Sequence, residues 1–232
     1  QNPINVFCKE SLETNKLIEE FMLLANKTVA KHLQNKNTPF VYRVHDKPDD
    51  NKISDLRNIV KAFGYTIEST NAYSLSKSLN QLLEQSQGKA EEQMIETLTI
   101  RSMAKAIYTI KNIGHYGLAF DHYTHFTSPI RRYPDLIVHR ILKNYIKKEK
   151  SFDPVFLENL CKYSSDMEKV ASTAERDSVK FMQTKYLKTK IGEIFTGVIT
   201  GVTDWGFYVE LDKNKCEGLV KISTIKNDYF VY

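Results

Sequence analysis

The residue pattern changes period once, near Ile191, and that change limits the chain to two differently built parts. From about 153 to 188 the pattern is helical, with few breakers and many charges. Beyond Ile191 alternation takes over. Ile194, Thr196, Val198 and Thr200 alternate with other residues, as do Phe207, Val209 and Leu211 with Tyr208 and Glu210. Gly197 and Gly201 punctuate the first run, and a third short run follows at 217–222. Three closely spaced strands with glycine bends predict the start of a small OB-type barrel. The alternation sends Phe207, Val209 and Leu211 inward and Tyr208 outward. The predicted boundary at Lys188–Ile191 separates 1–189 from 190–232, and the fold class is α+β with a mainly helical first part.

Within that first part, residues 11–35 predict a helix whose apolar stripe is Leu17, Phe21, Leu24, Thr28 and Val29. Glu19, Met22 and Asn26 line up on another face, because seven residues is close to two turns. A strand is predicted at 38–45, and helices near 51–63, 74–86 and 90–104. Residues 106–126, with Gly114 and Gly117, read as strand and loop, and a helix runs from Pro129 to about Lys148. No apolar run reaches the roughly 20 residues of a membrane span. Cys8, Cys161 and Cys216 are odd in number and far apart, which excludes a zinc spacing or a disulfide framework and favours a reducing cytoplasm. The start at Gln1-Asn2-Pro3 and the end at Phe230-Val231-Tyr232 read as cut from a longer chain.

The run from His125 to Asp135 concentrates the chemistry. Pro129 suits a first helical position, Thr127 or Ser128 can cap that end, and Arg131 and Arg132 follow at once. Free N–H groups and two guanidinium groups in one small region suit a phosphate that gains charge during reaction. A net charge of +5 is too modest to indicate nucleic acid by itself.

Several stretches resemble the ribonuclease II / ribonuclease R (RNB) family of exoribonucleases, most of all its ribonuclease R branch. They are Glu19 to Asn26, Tyr42 to Pro48, His115 to Ala119, the arginine run with Asp135, His139 and Arg140, and Ala174 to Asp177. The resemblance implies the C-terminal part of an RNB catalytic domain over 1–189. Residues 190–232 then begin an RNA-binding OB domain of ribosomal-protein S1 type. It implies 3′-to-5′ processive hydrolysis of single-stranded RNA to nucleoside 5′-monophosphates in the cytoplasm, with neither DNA nor a membrane as partner. It also implies magnesium held by an aspartate cluster upstream of the Glu19 helix. This chain has no such cluster. Asp49-Asp50 is its only adjacent aspartate pair and lies in a predicted turn, so the chain is expected not to hydrolyse RNA alone. The alternative is a non-catalytic RNA-binding or regulatory relative.

Each candidate residue carries two readings. The family's catalytic arginine falls on Arg131, where a bidentate guanidinium would meet charge developing on the phosphate, an effect of about 10³–10⁵ in rate for arginine fingers. Otherwise Arg131 and Arg132 only pair with carboxylates. Glu19 and Glu175 resemble acids that contact the terminal nucleotides, where a carboxylate accepts from a 2′-hydroxyl; otherwise they are surface acids, Glu175 pairing with Arg176 or Lys180. Asn26 either positions Glu19 or holds backbone. Tyr133 either stacks a base or packs. In the barrel, Trp205 and Tyr208 match a stacking platform whose third position, often histidine, is Lys221 here. The histidines His45, His115, His122, His125 and His139 read as hydrogen-bonded packing rather than as metal ligands.

Overall fold

The computed structural model describes residues 3–7, 11–34, 36, 38–68 and 71–225. Cys8 and both chain ends discussed above, Gln1-Asn2 and Phe230 to Tyr232, lie outside the described residues. Two compact units are present, Leu12–Lys169 and the chain from Val170 onward, the latter with the residues before Leu12.

In the first unit, helix α1 (Glu13–Gln34) opens on Glu13 and has Lys31 in its last turn, charges that complement its dipole. Strand β1 (Tyr42–Val44) pairs antiparallel with β2 (Ile107–Thr109). Helices α2 (Asp50–Lys61), α3 (Ala72–Ser86) and α4 (Glu92–Ser102) lie between them in sequence. Asp49 caps α2 by accepting from Asn51 and Lys52 N–H, and Asn71 with Ser74 forms a capping box on α3. These three helices enclose their own core of Ile53, Leu56, Val60, Leu75, Leu79, Leu82 and Ile95. A second core joins the end of α1, both strands, α5 (Tyr133–Lys147) and the start of α6 (Pro154–Leu187) through Leu33, Phe40, Val44, Ile137, Val138 and Leu157. Tyr42 and Val44 are buried on one face of β1, so the intervening Arg43 leaves on the other. There its guanidinium donates twice to Glu168, at 2.6 and 3.1 Å, and lies 4.6 Å from the Tyr108 ring centroid.

The second unit carries an antiparallel meander of β3 (Gly197–Thr203), β4 (Gly206–Leu211) and β5 (Glu217–Lys221), with a register shift between Ile199 and Gly201. Gly206 is required by its neighbour, because any Cβ there would run into the Val220 carbonyl. Cys161 and Cys216 are buried free thiols. No helix among the described residues is long and apolar enough to cross a membrane.

Along the predicted α1 stripe Leu17, Phe21 and Leu24 are 57–60% exposed and Val29 packs against the core, while Asn26, Ala30 and Leu33 form the buried face. Periodicity identifies a stripe but not the surface that covers it. Two expectations need correction. The helix after the arginine run begins at Tyr133, not Pro129. Ser128 accepts from Arg131 and Arg132 N–H to close a turn, and Pro134 takes the early helical position. Along β4 the residues from Phe207 to Leu211 are all half-buried, because three strands close no interior.

The Arg43 guanidinium is 13% exposed and Glu168 38%, so removing the acid strands a mostly buried cation. Glu168→Ala is expected to lower stability by about 1–2 kcal/mol, discounted for the partly wet carboxylate. An unchanged urea midpoint would show that the pair contributes nothing.

Candidate functional site

The geometry around Arg131 is set by one buried carboxylate. Asp135 is wholly buried in the first turn of α5, and its Oδ1 accepts from Ser128 N–H at 2.8 Å and from the Arg132 guanidinium at 2.9 Å. Those bonds tie both ends of the Ser128–Arg132 turn to the helix start. Arg132 is thereby held as a structural cation, 21% exposed. Its neighbour is less constrained: Arg131 is exposed, and among the described residues its side chain makes one hydrogen bond, a long contact to the Ser128 hydroxyl at 3.4 Å. Among the described residues Thr127 Oγ1, Arg132 Nε and Asp135 Oδ2 are buried without a hydrogen-bond partner, a polar surplus concentrated at this turn. Arg131 is not among the residues lining the cavities beside His45 and beside Tyr145.

The surroundings are electropositive. Burial first, then Arg132, Arg43, His115 and Arg131, pushes His125 down to about 2. Burial, His45 and Arg43 push His115 down to about 4. Burial drives the Tyr108 phenol up to about 12, and its hydroxyl lies in hydrogen-bond contact with His125 Nδ1 at 2.8 Å. The other histidines are engaged too. His45 Nε2 meets the Ala104 carbonyl and its Nδ1 accepts from Gly117 N–H, where a Cβ would strike the ring. His139 bonds the Phe126 carbonyl and stacks on that ring at 4.0 Å, and His122 faces Asn112.

Asn26 holds backbone. Its side-chain oxygen accepts from Phe126 N–H at 2.9 Å while its amide donates to the Tyr123 hydroxyl, so α1 anchors the segment entering the arginine turn. Glu19 lies two turns back on that helical face, fully in solvent, and makes no hydrogen bond or ion pair among the described residues. Tyr133 is half exposed at the first position of α5, beside the turn.

In the second unit, Glu175 is exposed and makes no ion pair among the described residues, and Lys180 binds Glu217 instead at 3.4 Å. The β4–β5 register sets Lys221 opposite Gly206 and Leu219 opposite Tyr208. Tyr208 and Lys221 therefore share one sheet face. Trp205, 61% exposed, sits at the same end, its carbonyl accepting from Ile222 N–H. The sheet thus brings the three platform residues together. Among the described residues no group of three or more His, Cys, Asp or Glu side chains could hold a metal ion, so these residues do not fit a magnesium site.

Comparison with known proteins agrees with this layout. Residues 1–148 match the RNB domain model and 188–231 the S1 RNA binding domain model. The chain belongs to the RNB family. It is 42% identical to ribonuclease R of Aquifex aeolicus, over 99% of this chain and 33% of that protein, and 36% identical to that of Escherichia coli, over 94% and 28%. The structure of Mycoplasma genitalium RNase R with ribose-methylated single-stranded RNA superposes with a TM-score of 0.84 at 31% identity, over 97% of this chain and 36% of that one. Yeast Ssd1, described as a pseudonuclease, superposes with 0.73 at 26% identity, over 89% and 26%. The chain therefore spans about a third of the curated relatives it matches.

The motif reading of this RNB chain left open whether Arg132 meets RNA or a carboxylate, and the structure pairs it with Asp135. An acid three residues after Arg132, at an i,i+3 step, was the available signal. Asp135→Ala is expected to cost about 3–5 kcal/mol, since it leaves Arg132 and Ser128 N–H buried without a partner, and a loss under 1 kcal/mol in chemical denaturation would contradict that anchoring role. Unfolded histidine titrates near about 6.5. His115 and His125 lie below that when folded, so the stability they contribute is present above that pH and falls as pH drops towards 4. His125→Gln should make the decline shallower in urea titrations.

Proposed function

We propose that this chain supplies the charge-stabilising and RNA-gripping part of an enzyme that hydrolyses single-stranded RNA processively from the 3′ end, releasing nucleoside 5′-monophosphates. The observation that carries the proposal is the pairing of a locked Arg132 with a free Arg131 on one braced turn. A phosphodiester under attack places charge on its non-bridging oxygens. A guanidinium held by a rigid backbone but free at its tip can meet that charge with two parallel donors. Placing it on a turn fixed by Asp135 and by the Asn26–Phe126 bond reduces the reorganisation needed when charge develops.

Glu19 and Glu175 are assigned to ribose 2′-hydroxyls, which would select RNA over DNA. Tyr133 is assigned to the terminal base. Trp205, Tyr208 and Lys221 are assigned to the incoming strand, the aromatics by stacking and the lysine by phosphate contact. Magnesium enters as a requirement of the whole enzyme that the described residues do not meet themselves, so this chain alone is expected to bind RNA without cleaving it. We place the protein in the cytoplasm, a setting that suits its buried free thiols. The likeness to a pseudonuclease keeps a second reading in view, in which the same turn and sheet only bind RNA.

The two readings part on Arg131→Ala in the full-length protein. Removal of one preorganised donor is expected to slow single-turnover hydrolysis by about 10²-fold or more with little change in RNA affinity. Arg131→Lys should fail to restore the rate, because a point charge lacks the fork. Wild-type turnover by the alanine variant would remove Arg131 from the reaction, and a full-length protein that binds RNA but leaves it intact with magnesium would establish the binding reading.

A further inference from the structure

The first unit carries a second concentration of positive charge, away from the arginine turn. Helices α1 and α5 end side by side. The His32 and Tyr145 rings meet edge to face at 5.7 Å, and Lys36 Nζ lies 6.0 Å from the Tyr145 centroid. A cavity of about 220 Å³ opens beside them, with Thr38, Asn144, Tyr145, Lys148 and Phe152 in its lining. Lys31, Lys36, Lys143, Lys147, Lys148 and Lys150 are all exposed on these helix ends and the segments that follow. None of the six pairs with a carboxylate among the described residues. Elsewhere lysines find acids three residues away, as Lys16 does with Glu13, Lys169 with Asp166 and Lys190 with Glu193. Within the patch Glu149 is the one carboxylate in the α5–α6 connection besides Asp153, and Asp153 is engaged in accepting from Phe156 N–H at the start of α6.

Helix-dipole complementarity accounts for part of this. Lys31 and Lys147 sit in last turns, where a cation is worth about 0.3–1 kcal/mol. It does not account for Lys36, Lys148 and Lys150, which lie beyond the helices. Lys148 is the more telling of these. It caps α5 in the left-handed region, φ 57°, a position where glycine is the usual residue. A lysine stands there despite its Cβ. The six charges exceed the whole chain's net charge of +5, so the rest of the molecule is close to neutral.

We propose that this surface is a second RNA-backbone contact, gripping the phosphates of a single strand by charge alone and without reading bases. The inference rests on the RNA reading above but not on the catalytic role of Arg131. Six unpaired cations and one free carboxylate complement a polyphosphate, and exposed lysines act as point charges that tolerate any sequence.

The test is fluorescence anisotropy of this chain with a labelled single-stranded RNA across 50–200 mM salt, comparing the unaltered chain, Lys36→Gln/Lys148→Gln/Lys150→Gln and Trp205→Ala. Three lost phosphate contacts should reduce the slope of log K against log salt by about 2, with the thermal midpoint kept. Trp205→Ala should weaken binding while leaving that slope nearly as it was. A triple variant with the original slope and affinity, alongside a weakened Trp205→Ala, would overturn the second contact and leave the RNA reading standing. No RNA binding by the unaltered chain at 50 mM salt would instead overturn the RNA reading and the contact with it. If polyglutamate of matched charge competes as well as unlabelled RNA, and loses that ability in the triple variant, the surface belongs to an acidic protein and the proposal fails.

Discussion

The buried carboxylate of Asp135 is the interaction on which the candidate site depends. A wholly buried ion is unfavourable unless it is paired and hydrogen-bonded, and Asp135 is both, through Arg132 and the Ser128 N–H. Those partners bracket Arg131 in sequence. The pair therefore acts as a clamp on the backbone of the turn, and the exposed guanidinium inherits a fixed root. Asn26 adds an independent tie one step earlier, at Phe126. Side chains from two helices thus determine where a five-residue turn lies, and neither of them touches the group they serve.

The same positive field explains the state of the histidines. Arg43, Arg131 and Arg132 all disfavour a further proton on His125, and burial disfavours it more strongly. A neutral His125 can accept from Tyr108, and Tyr108 in turn lies under Arg43. Arg43 needs Glu168 because a mostly buried guanidinium with only ring faces and imidazoles around it would lack a counter-charge. Electrostatics here runs as a chain: one acid compensates Arg43, another compensates Arg132, and Arg131 has no counter-charge among the described residues.

Much of this was legible in the residues, for identifiable reasons. Periodicity located α6 to within a residue or so at each end and separated the helical part from the meander, because period 3.6 and period 2 differ over any long run. The arginine run was found as a chemical cluster, but its helix was started four residues early. Two prolines competed for the opening position, and only the Ser128 turn decides between them. The outward and inward sides of β4 could not be read, since alternation presumes a closed interior that three strands do not make. The Asn26 contact joins residues a hundred positions apart, and no local pattern encodes that. The α1 stripe was read as apolar, and periodicity alone does not say what covers it.

That last point separates the proposed contacts into two physical classes. The arginine turn is braced entirely by residues of its own unit. Glu19 is not: it stands on the part of α1 before Asn26, where Leu17, Ile18, Phe21 and Leu24 are each more than half exposed. Apolar side chains so placed gain about 25 cal/mol for every Å² that a covering surface removes from water. Any surface that packs on this stripe therefore orders the helix face carrying Glu19, and its shape decides where the carboxylate points. Arg131, the group proposed to stabilise charge, is preorganised by the contacts of Asn26 and Asp135, whereas Glu19, the acid proposed to meet a ribose, has no such brace among the described residues. The two could not be equally precise in this chain by itself, because only one of them has its supports within it.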